Sequence, residues 1–381
     1  MELRSEDAMP VLKEKVKNRV GQWFALCPAR HILLFAGAVL TALYYFLRQN
    51  RAVMQFLKDN IVVPYHRAAG KVFSIVKFSV AEWLYALVIV ATMVYIIYKT
   101  VIIVSRDGKM KQVYITIVSL ASCAIAIYAG ICILWGICYY SDGFSEKSGL
   151  RAEPVEASKL AATTLYFAGL ANEYADRVSR DADGLFNEAE AEYFDRGAGL
   201  YENAVRTFPF LDGPNLRPKP MVFSKIFSYM NFTGFFFAPT GEANLNTDVP
   251  SCMVPSTIAH EIAHQRGIAR EDEANFVGIF AAVESGDERY IYSASLAAFT
   301  YLGNALHGAD YESWAEIYTS LSEPVRADLR SVGEYWAKFE TKVGDATEAV
   351  YSGFLESQGQ ELGIKSYGAC VDLLVAYYGS K

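Results

Sequence analysis

The stretch PSTIAHEIAHQRGIAREDEAN, residues 255–275, decides how the C-terminal half of this chain folds. It contains the pattern H-E-x-x-H, formed by His260, Glu261 and His264. Two histidines four residues apart lie on one face of a helix, so both imidazoles can bind a single metal ion. Glu261, between the two histidines, then lies beside a water molecule bound to that ion. The stretch therefore predicts a metal-binding helix.

The residues around the motif favour a helix with defined ends. Pro255 suits a first helical position, Ser256 or Thr257 can cap the helix, and Gly267 suits the left-handed residue that ends it. With five histidines in the chain, chance would give this motif on the order of once in a few hundred such sequences. A surface helix with two unrelated imidazoles is the competing interpretation.

The acidic run EDEAN at 271–275 supplies candidates for a third metal ligand. A catalytic zinc ion usually has three protein ligands and keeps one position open. The run begins what the pattern predicts as a second helix, extending toward Glu284. Alternatively, the three acids only complement the positive end of that helix, at about 0.3–1 kcal/mol each.

The motif and the acidic run together resemble gluzincin peptidases, in which a downstream E-x-x-[SA]-D pattern carries the third ligand. The resemblance implies that Glu271 binds the metal and that Asn275 takes the place of an aspartate that contacts a ligand histidine. An asparagine polarises that histidine less. The connection of six residues between His264 and Glu271 is also shorter than in the better-known gluzincins, so Glu273 stays a rival ligand.

The range 218–306 resembles a bacterial membrane-protein family catalogued as domain of unknown function 3810. The resemblance is carried by PTGEANLN, by TIAHEIAHQRGIAREDEANF and by a following Tyr-Ser. It implies membrane spans followed by a metallopeptidase-like domain, and it implies no substrate.

Three apolar runs precede the motif, at 31–47, 83–104 and 113–140. A helix of roughly 20 apolar residues crosses a hydrocarbon core of about 30 Å, so each run predicts a transmembrane helix. The connector between the first two has Val72, Phe73, Val76 and Val80 at helical spacing. That spacing is typical of a helix on the membrane surface, but an ordinary connector explains it equally well.

Lysines and arginines indicate how the spans are oriented. Six lie before the first run and three lie between the last two, against six in the opposing connector at 48–77, and such residues favour the cytoplasmic side. The sequence predicts a cytoplasmic flank at 1–30, a membrane region at 31–140 and an extracytoplasmic domain at 141–381. The protein is thus expected in the cell membrane as a multi-pass protein.

Periodic apolar positions at 157–178, 189–207 and 310–381 predict that the domain is mainly helical. The run FTGFFFAPTGEANLN, residues 232–246, instead predicts one or two short strands with a turn. The expected fold is mainly α with a small β element: three transmembrane helices followed by an α+β zincin-like domain.

The predicted function is hydrolysis of a peptide or protein by water that a zinc ion activates, with Glu261 as general base. Glu242 and Asn244 are candidates for an edge that pairs with the substrate, and Tyr290 and Tyr292 are candidates for stabilising the oxyanion. The alternative is a non-catalytic receptor or scaffold with a structural or vestigial zinc site.

Charge and cysteine usage set further limits. A net charge of −7 without a basic stripe argues against a nucleic-acid partner, and the apolar runs make the lipid bilayer an expected one. Charged residues in and near the motif argue against an intramembrane protease. A Cys252–Cys370 disulfide and the oligomeric state stay open.

Overall fold

The computed structural model describes residues 21–151, 155–360 and 367–379, which are mainly helical. Contacts divide the chain into two compact units. Of the described residues, the first unit contains 21–49 and 84–134, and the second contains 50–83 and those from 135 onward. The connector at 50–83, which the sequence analysis assigned to the membrane region, thus belongs to the same unit as the C-terminal domain.

Within the described part of the chain, three helices are long and apolar enough to cross a membrane: Pro28–Leu47, Val80–Ser105 and Lys109–Ser148. The helices and short helical turns in this half of the chain are α1 (Pro28–Leu47), α2 (Arg51–Leu57), α3 (Val63–Phe73), α4 (Val80–Ser105), α5 (Lys109–Ile131), α6 (Ile137–Tyr139) and α7 (Phe144–Ser148). Turns of π-helix at Lys58–Val62 and Cys132–Gly136 join α2 to α3 and α5 to α6.

Each apolar run that the sequence marked lies within one of these three helical stretches, so the prediction of three spanning-length helices is confirmed. Within the first unit, α1 packs closely on α5. A Cβ atom on Gly37 would lie 2.9 Å from Cγ2 of Ile125, and the hydroxyl groups of Tyr45 and Tyr128 are 2.6 Å apart. The suggested apolar face on the connector is wrong, because α3 ends at Phe73 and Val76 lies beyond it.

The C-terminal part of the second unit consists of short helices followed by longer ones. They are α8 (Ala157–Ala175), α9 (Glu190–Gly197), α10 (Glu202–Thr207), α11 (Ser224–Tyr229), α12 (Val254–Gln265), α13 (Glu271–Glu284), α14 (Glu288–Ala309), α15 (Tyr311–Ser320), α16 (Glu323–Ala337), α17 (Lys342–Ser357) and α18 (Tyr367–Tyr378). Helix α14 packs against α8, α12 and α13 through buried side chains such as Phe299 and Leu302.

A three-stranded sheet lies between α10 and α12 in the sequence, with strands β1 (Lys219–Pro220), β2 (Gly234–Phe237) and β3 (Glu242–Leu245). Strand β3 is central: it pairs parallel with β1 and antiparallel with β2, which is an edge strand. The strands expected within 232–246 are therefore confirmed. Gly241 in their turn has a φ of +66°, and its Cβ would lie 2.4 Å from the carbonyl oxygen of His66. A glycine is required there on both grounds.

Candidate metal centre

Helix α12 carries the H-E-x-x-H motif, as predicted, but it is not capped by a side chain as expected. The turn of 3-10 helix at Ser251–Met253 runs directly into α12, so the helix begins at Val254, before either candidate cap. The hydroxyl groups of Ser256 and Thr257 instead donate to the carbonyl oxygen of Met253, at 2.9 and 3.0 Å.

Gly267 ends α12 in the left-handed conformation that the sequence predicted, with a φ of +88°. The amide of Ile268 donates to the carbonyl of Ala263 at 3.1 Å, and the amide of Gly267 donates to that of His264 at 2.9 Å. These two bonds form a Schellman motif. The reversed chain places the carbonyl oxygen of Ile268 2.7 Å from Nδ1 of His264. In the neutral imidazole Nδ1 then donates a hydrogen bond to that carbonyl oxygen, and the lone pair of Nε2 is left to bind a metal ion.

Two histidines and one carboxylate converge at the start of α13. Nε2 of His260 is 3.3 Å from Oε2 of Glu271, and Nε2 of His264 is 3.6 Å from Oε1 of the same residue. Among the residues that the structure describes, these three form the one group whose donor atoms all lie within 4.8 Å of one another. Ligands at about 2.0–2.1 Å from a tetrahedral zinc ion are about 3.3–3.4 Å apart, so the residues present fit zinc.

A glycine lets the two helices approach closely enough for this convergence. A Cβ atom on Gly278 of α13 would lie 2.8 Å from the backbone nitrogen of His260 and 2.9 Å from its Cα. Any side chain there would push the helices apart. The distance from the acidic start of α13 to the histidines of α12 therefore depends on Gly278.

Glu261 lies against the edge strand. A Cβ atom on Gly234 would lie 2.8 Å from its Oε1, and its Oε2 has no hydrogen-bond partner within the described part of the chain. Burial raises the pKa of Glu261 to about 7; the two histidines lower it and the charge of Glu271 raises it. A buried carboxylate oxygen without a donor is costly unless a cation or water is bound beside it.

The charges of the cluster shift the pKa values of its members in opposite directions. Burial lowers the pKa of His264, but the charge and hydrogen bond of Glu271, the charge of Glu261 and the carbonyl of Ile268 together outweigh that effect and bring the value to about 9. Burial raises the pKa of Glu271, but the two histidines outweigh it and hold the value well below the usual range. A bound divalent cation would lower the pKa of His264 again, since a histidine binds a metal ion only in its neutral form.

The rival ligand and the predicted partner of a ligand histidine have other neighbours. Glu273 accepts hydrogen bonds from the amides of Phe144 and Ser145, at 2.7 and 3.0 Å, and so caps α7. The oxygen of Asn275 accepts a hydrogen bond from the hydroxyl group of Tyr301 at 3.3 Å. The structure thus brings Glu271, rather than Glu273, to the histidines.

The two residues expected at a substrate edge lie on the central strand. Glu242 forms a buried ion pair with Lys219 and accepts hydrogen bonds from the amides of Val80 and Ala81, at 3.3 and 3.0 Å. The amide nitrogen of Asn244 donates to two backbone oxygens of the sheet, at 3.1 and 3.3 Å. Both side chains hold structure together, and the edge position belongs to β2.

The two tyrosines expected to stabilise an oxyanion are fully buried in the core. The hydroxyl group of Tyr290 donates to the carbonyl oxygen of Tyr193 at 2.6 Å. The hydroxyl group of Tyr292 donates to Asp328 at 2.5 Å. The structure does not bring either one to the histidines.

Two residues that sequence reasoning missed contact the cluster. The hydroxyl group of Tyr351, on α17, donates to Oε1 of Glu271 at 2.6 Å. The ring of Trp135 packs edge-to-face on that of His264, with centroids 5.6 Å apart. The sequence carries no signal for either one. Tyr351 lies 80 positions after Glu271 and belongs to no motif, and Trp135 lies in an apolar run whose pattern predicts only a membrane span.

Comparison with known proteins places most of the chain in one family match. Residues 60–375 match the family described as "Protein of unknown function (DUF3810)". The match includes the motif, the acidic run and the edge strand. No curated protein and no solved structure matched the chain.

Proposed function

Because the chain belongs to the DUF3810 family, whose description gives no activity, we propose a function from the site: this is a membrane-anchored zinc metallopeptidase. The observation that carries the proposal is the convergence of His260, His264 and Glu271 beside the partly unpartnered carboxylate of Glu261. We extend the resemblance to zincin-like peptidases on that ground.

His260, His264 and Glu271 would hold the zinc ion. When bound, zinc supplies a Lewis acid that acidifies water and polarises a peptide carbonyl. The three donors among the described residues leave a coordination position for water or substrate, which is typical of catalytic sites, whereas structural sites usually have four protein ligands. This difference favours an enzyme over the scaffold alternative.

Glu261 acts as the general base. It takes a proton from water as the water oxygen bonds to the peptide carbon, and it returns that proton to the amine when the C–N bond breaks. The close contact of Gly234 with this carboxylate puts one end of edge strand β2 at the reacting groups. An extended peptide that pairs with an edge strand would pass there, which supports a peptide or protein as substrate.

Two other groups act as positioning elements for the ligands. The carbonyl oxygen of Ile268 fixes the ring and the tautomer of His264, and Tyr351 holds one oxygen of Glu271. Hydrogen bonds of this kind orient metal ligands, and the bond that His264 donates to Ile268 also makes its imidazole more basic.

The membrane helices serve as an anchor, and the catalytic unit lies on the extracytoplasmic side of the cell membrane. The connector at 50–83 and the region from 135 onward form one compact unit, which suits a chain with three spans, since both then lie on the same side. The bias of lysines and arginines supports the direction.

The zinc content of detergent-purified, full-length protein tests the site. We expect about one zinc ion per chain in the wild type and loss of zinc in His260→Ala and Glu271→Gln. His307→Ala is the matched control, because this exposed histidine packs on Trp314 outside the cluster. Elemental analysis is the measurement.

Glu273→Gln separates the two acids of α13. Because Glu273 caps α7, we expect this variant to keep its zinc and to lose stability. Zinc lost from Glu273→Gln and retained in Glu271→Gln would contradict the ligand assignment. A wild-type protein without zinc would refute the metallopeptidase proposal and favour the scaffold.

A further inference from the structure

Helix α11 has the reverse of the usual distribution of polar and apolar residues. Ser224 and Ser228 face the interior, where they are buried and hydrogen-bonded. Val222, Ile226 and Tyr229 are 64%, 57% and 45% exposed. Ile226 and Tyr229, three residues apart, lie on one side of α11, and Val222 lies in the turn just before the helix; these three exposed side chains are called the interfacial face below.

Hydrogen bonds tie this helix to the end of a membrane-length helix. The carboxylate of Glu82, in the first turn of α4, accepts from the amides of Val222 and Phe223, both at 2.8 Å. The ring of Trp83 packs edge-to-face on that of Phe223, with centroids 5.7 Å apart. The long apolar run of α4 begins directly after Glu82. The backbone of Val222, in the interfacial face, is thus bonded to the first turn of a helix that is long enough to span a membrane.

A second helix continues the exposed apolar surface. A Cβ atom on Gly344 of α17 would lie 2.7 Å from Nδ2 of Asn231, so α17 packs next to the end of α11. Val343 and Val350, seven positions apart on α17, are both exposed. Two neighbouring elements thus expose apolar side chains close to the end of one span, where isolated exposed residues would need no explanation.

Charge also fits a lipid surface. Lys225 is exposed and lies directly before Ile226 in α11. A lysine on such a face can extend its stem over apolar surface while its ammonium group reaches anionic headgroups.

We propose that α11 lies on the bilayer surface, with its interfacial face at the boundary between headgroups and acyl chains. The surface contact rests on the proposed function only in that it takes α4 to span the membrane, whereas the class of substrate named below rests on the peptidase activity as well. Strand β2 follows α11 after residues 230–233 and packs against Glu261 through Gly234. The bilayer contact therefore holds the substrate strand at the membrane, and segments that adjoin a membrane anchor are the substrates best placed to reach it.

Photo-crosslinking tests the contact directly. Full-length protein with p-benzoylphenylalanine in place of Ile226 is reconstituted into vesicles of phosphatidylethanolamine and phosphatidylglycerol, irradiated and analysed by mass spectrometry. The matched control carries the same group in place of Leu165, which is 53% exposed on α8. We expect lipid adducts at position 226 at a yield at least tenfold above position 165.

Equal yields at the two positions would overturn the proposal, and so would a cross-link from position 226 to another part of the chain or to a second copy. Zinc content is measured on the same samples. A protein with its zinc but without the lipid adduct refutes only the surface contact, whereas the adduct in a protein without zinc refutes only the peptidase.

Discussion

Five glutamates of this protein fall into two groups that differ in what their carboxylates accept. Glu82, Glu242 and Glu273 each accept two backbone amides, and each joins segments that are far apart in the sequence. Glu261 and Glu271 face imidazoles instead, and Oε2 of Glu261 has no partner among the described residues. The first group is satisfied by the fold alone, and the second requires a cation or water.

This difference separates structure from function within a few residues of one helix. Glu271 and Glu273 are both acids in the first turn of α13, and composition cannot distinguish them. Their partners do distinguish them. Glu273 accepts hydrogen bonds from backbone amides, which any carboxylate can do, whereas Glu271 and two imidazoles together form a zinc ligand set. The predictions below test this distinction, from the largest expected effect to the smallest.

Glu261→Gln should have the largest effect, on activity. We expect hydrolysis of fluorescein-labelled casein to fall by about 10²–10⁴-fold, since a general base contributes about that much. Zinc content should stay near that of the wild type. The melting temperature should not fall, because the variant removes a buried charge that lacks a full set of partners.

The measurement is the rate of hydrolysis per bound zinc, with Glu273→Gln as the paired variant. That variant should show the opposite pattern, a lower melting temperature and a rate per bound zinc like that of the wild type. If Glu261→Gln hydrolysed casein as fast as the wild type, the assignment of the general base would be wrong.

Glu242→Ala should have the largest effect on stability. The change leaves Lys219 buried without its partner and removes the acceptor of two amides at the start of α4. Breaking a buried ion pair typically costs about 3–5 kcal/mol. Denaturant unfolding in detergent measures the free energy, and Glu348→Ala, on the exposed side of α17, should change it by at most about 0.5 kcal/mol. Similar free energies of unfolding for the two variants would show that Glu242 does not stabilise the fold in the way proposed for the glutamates that accept backbone amides.

Tyr351→Phe tests whether the hydroxyl group positions Glu271. Loss of such a hydrogen bond should weaken zinc binding by about 10–100-fold, with little change in the free energy of unfolding of the metal-free protein. Competition with a fluorescent zinc chelator measures the affinity, and Tyr311→Phe, at an exposed position, is the control. Equal affinities for the two variants would show that Tyr351 only fills space.

The sequence predicted the parts of the site that depend on local patterns. The motif, the helix that carries it and the left-handed Gly267 all lie between Val254 and Gly267, so helical periodicity and the preference for glycine at a helix C-terminus determine them. The strands at 232–246 were predicted for the same reason.

The contacts between distant segments could not be predicted in that way. Tyr351 reaches Glu271 because α17 packs there, and Gly278 fits against the backbone of His260 because two helices cross there. A carboxylate that caps amides far away in the sequence, as Glu273 and Glu242 do, leaves no pattern at all. Such contacts depend on tertiary packing, which also explains why Tyr290 and Tyr292 were misplaced.

The smallest expected effect is a pH dependence that appears only without metal. The folded protein raises the pKa of His264 from an ordinary 6.5 to about 9, so it binds this proton more tightly than the unfolded chain does. That contribution to stability is complete below pH 6.5 and is lost as the pH rises through about 9. The pKa of Glu261 is raised from 4.5 to about 7, so its contribution to stability is also lost as the pH rises, but at lower pH.

With zinc bound, both histidines are neutral across this range, so the loss should disappear. We therefore expect the melting temperature of EDTA-treated protein to fall by a few degrees between pH 6.5 and pH 9, since about 1 kcal/mol corresponds to about 2–4 °C in a domain of this size. The zinc-loaded protein should not show that fall, and metal-free His264→Gln should show less of it. An equal dependence of the melting temperature on pH with and without zinc would mean that the imidazoles do not balance the charge of Glu271. Glu271 would then no longer belong to the group of glutamates that face imidazoles.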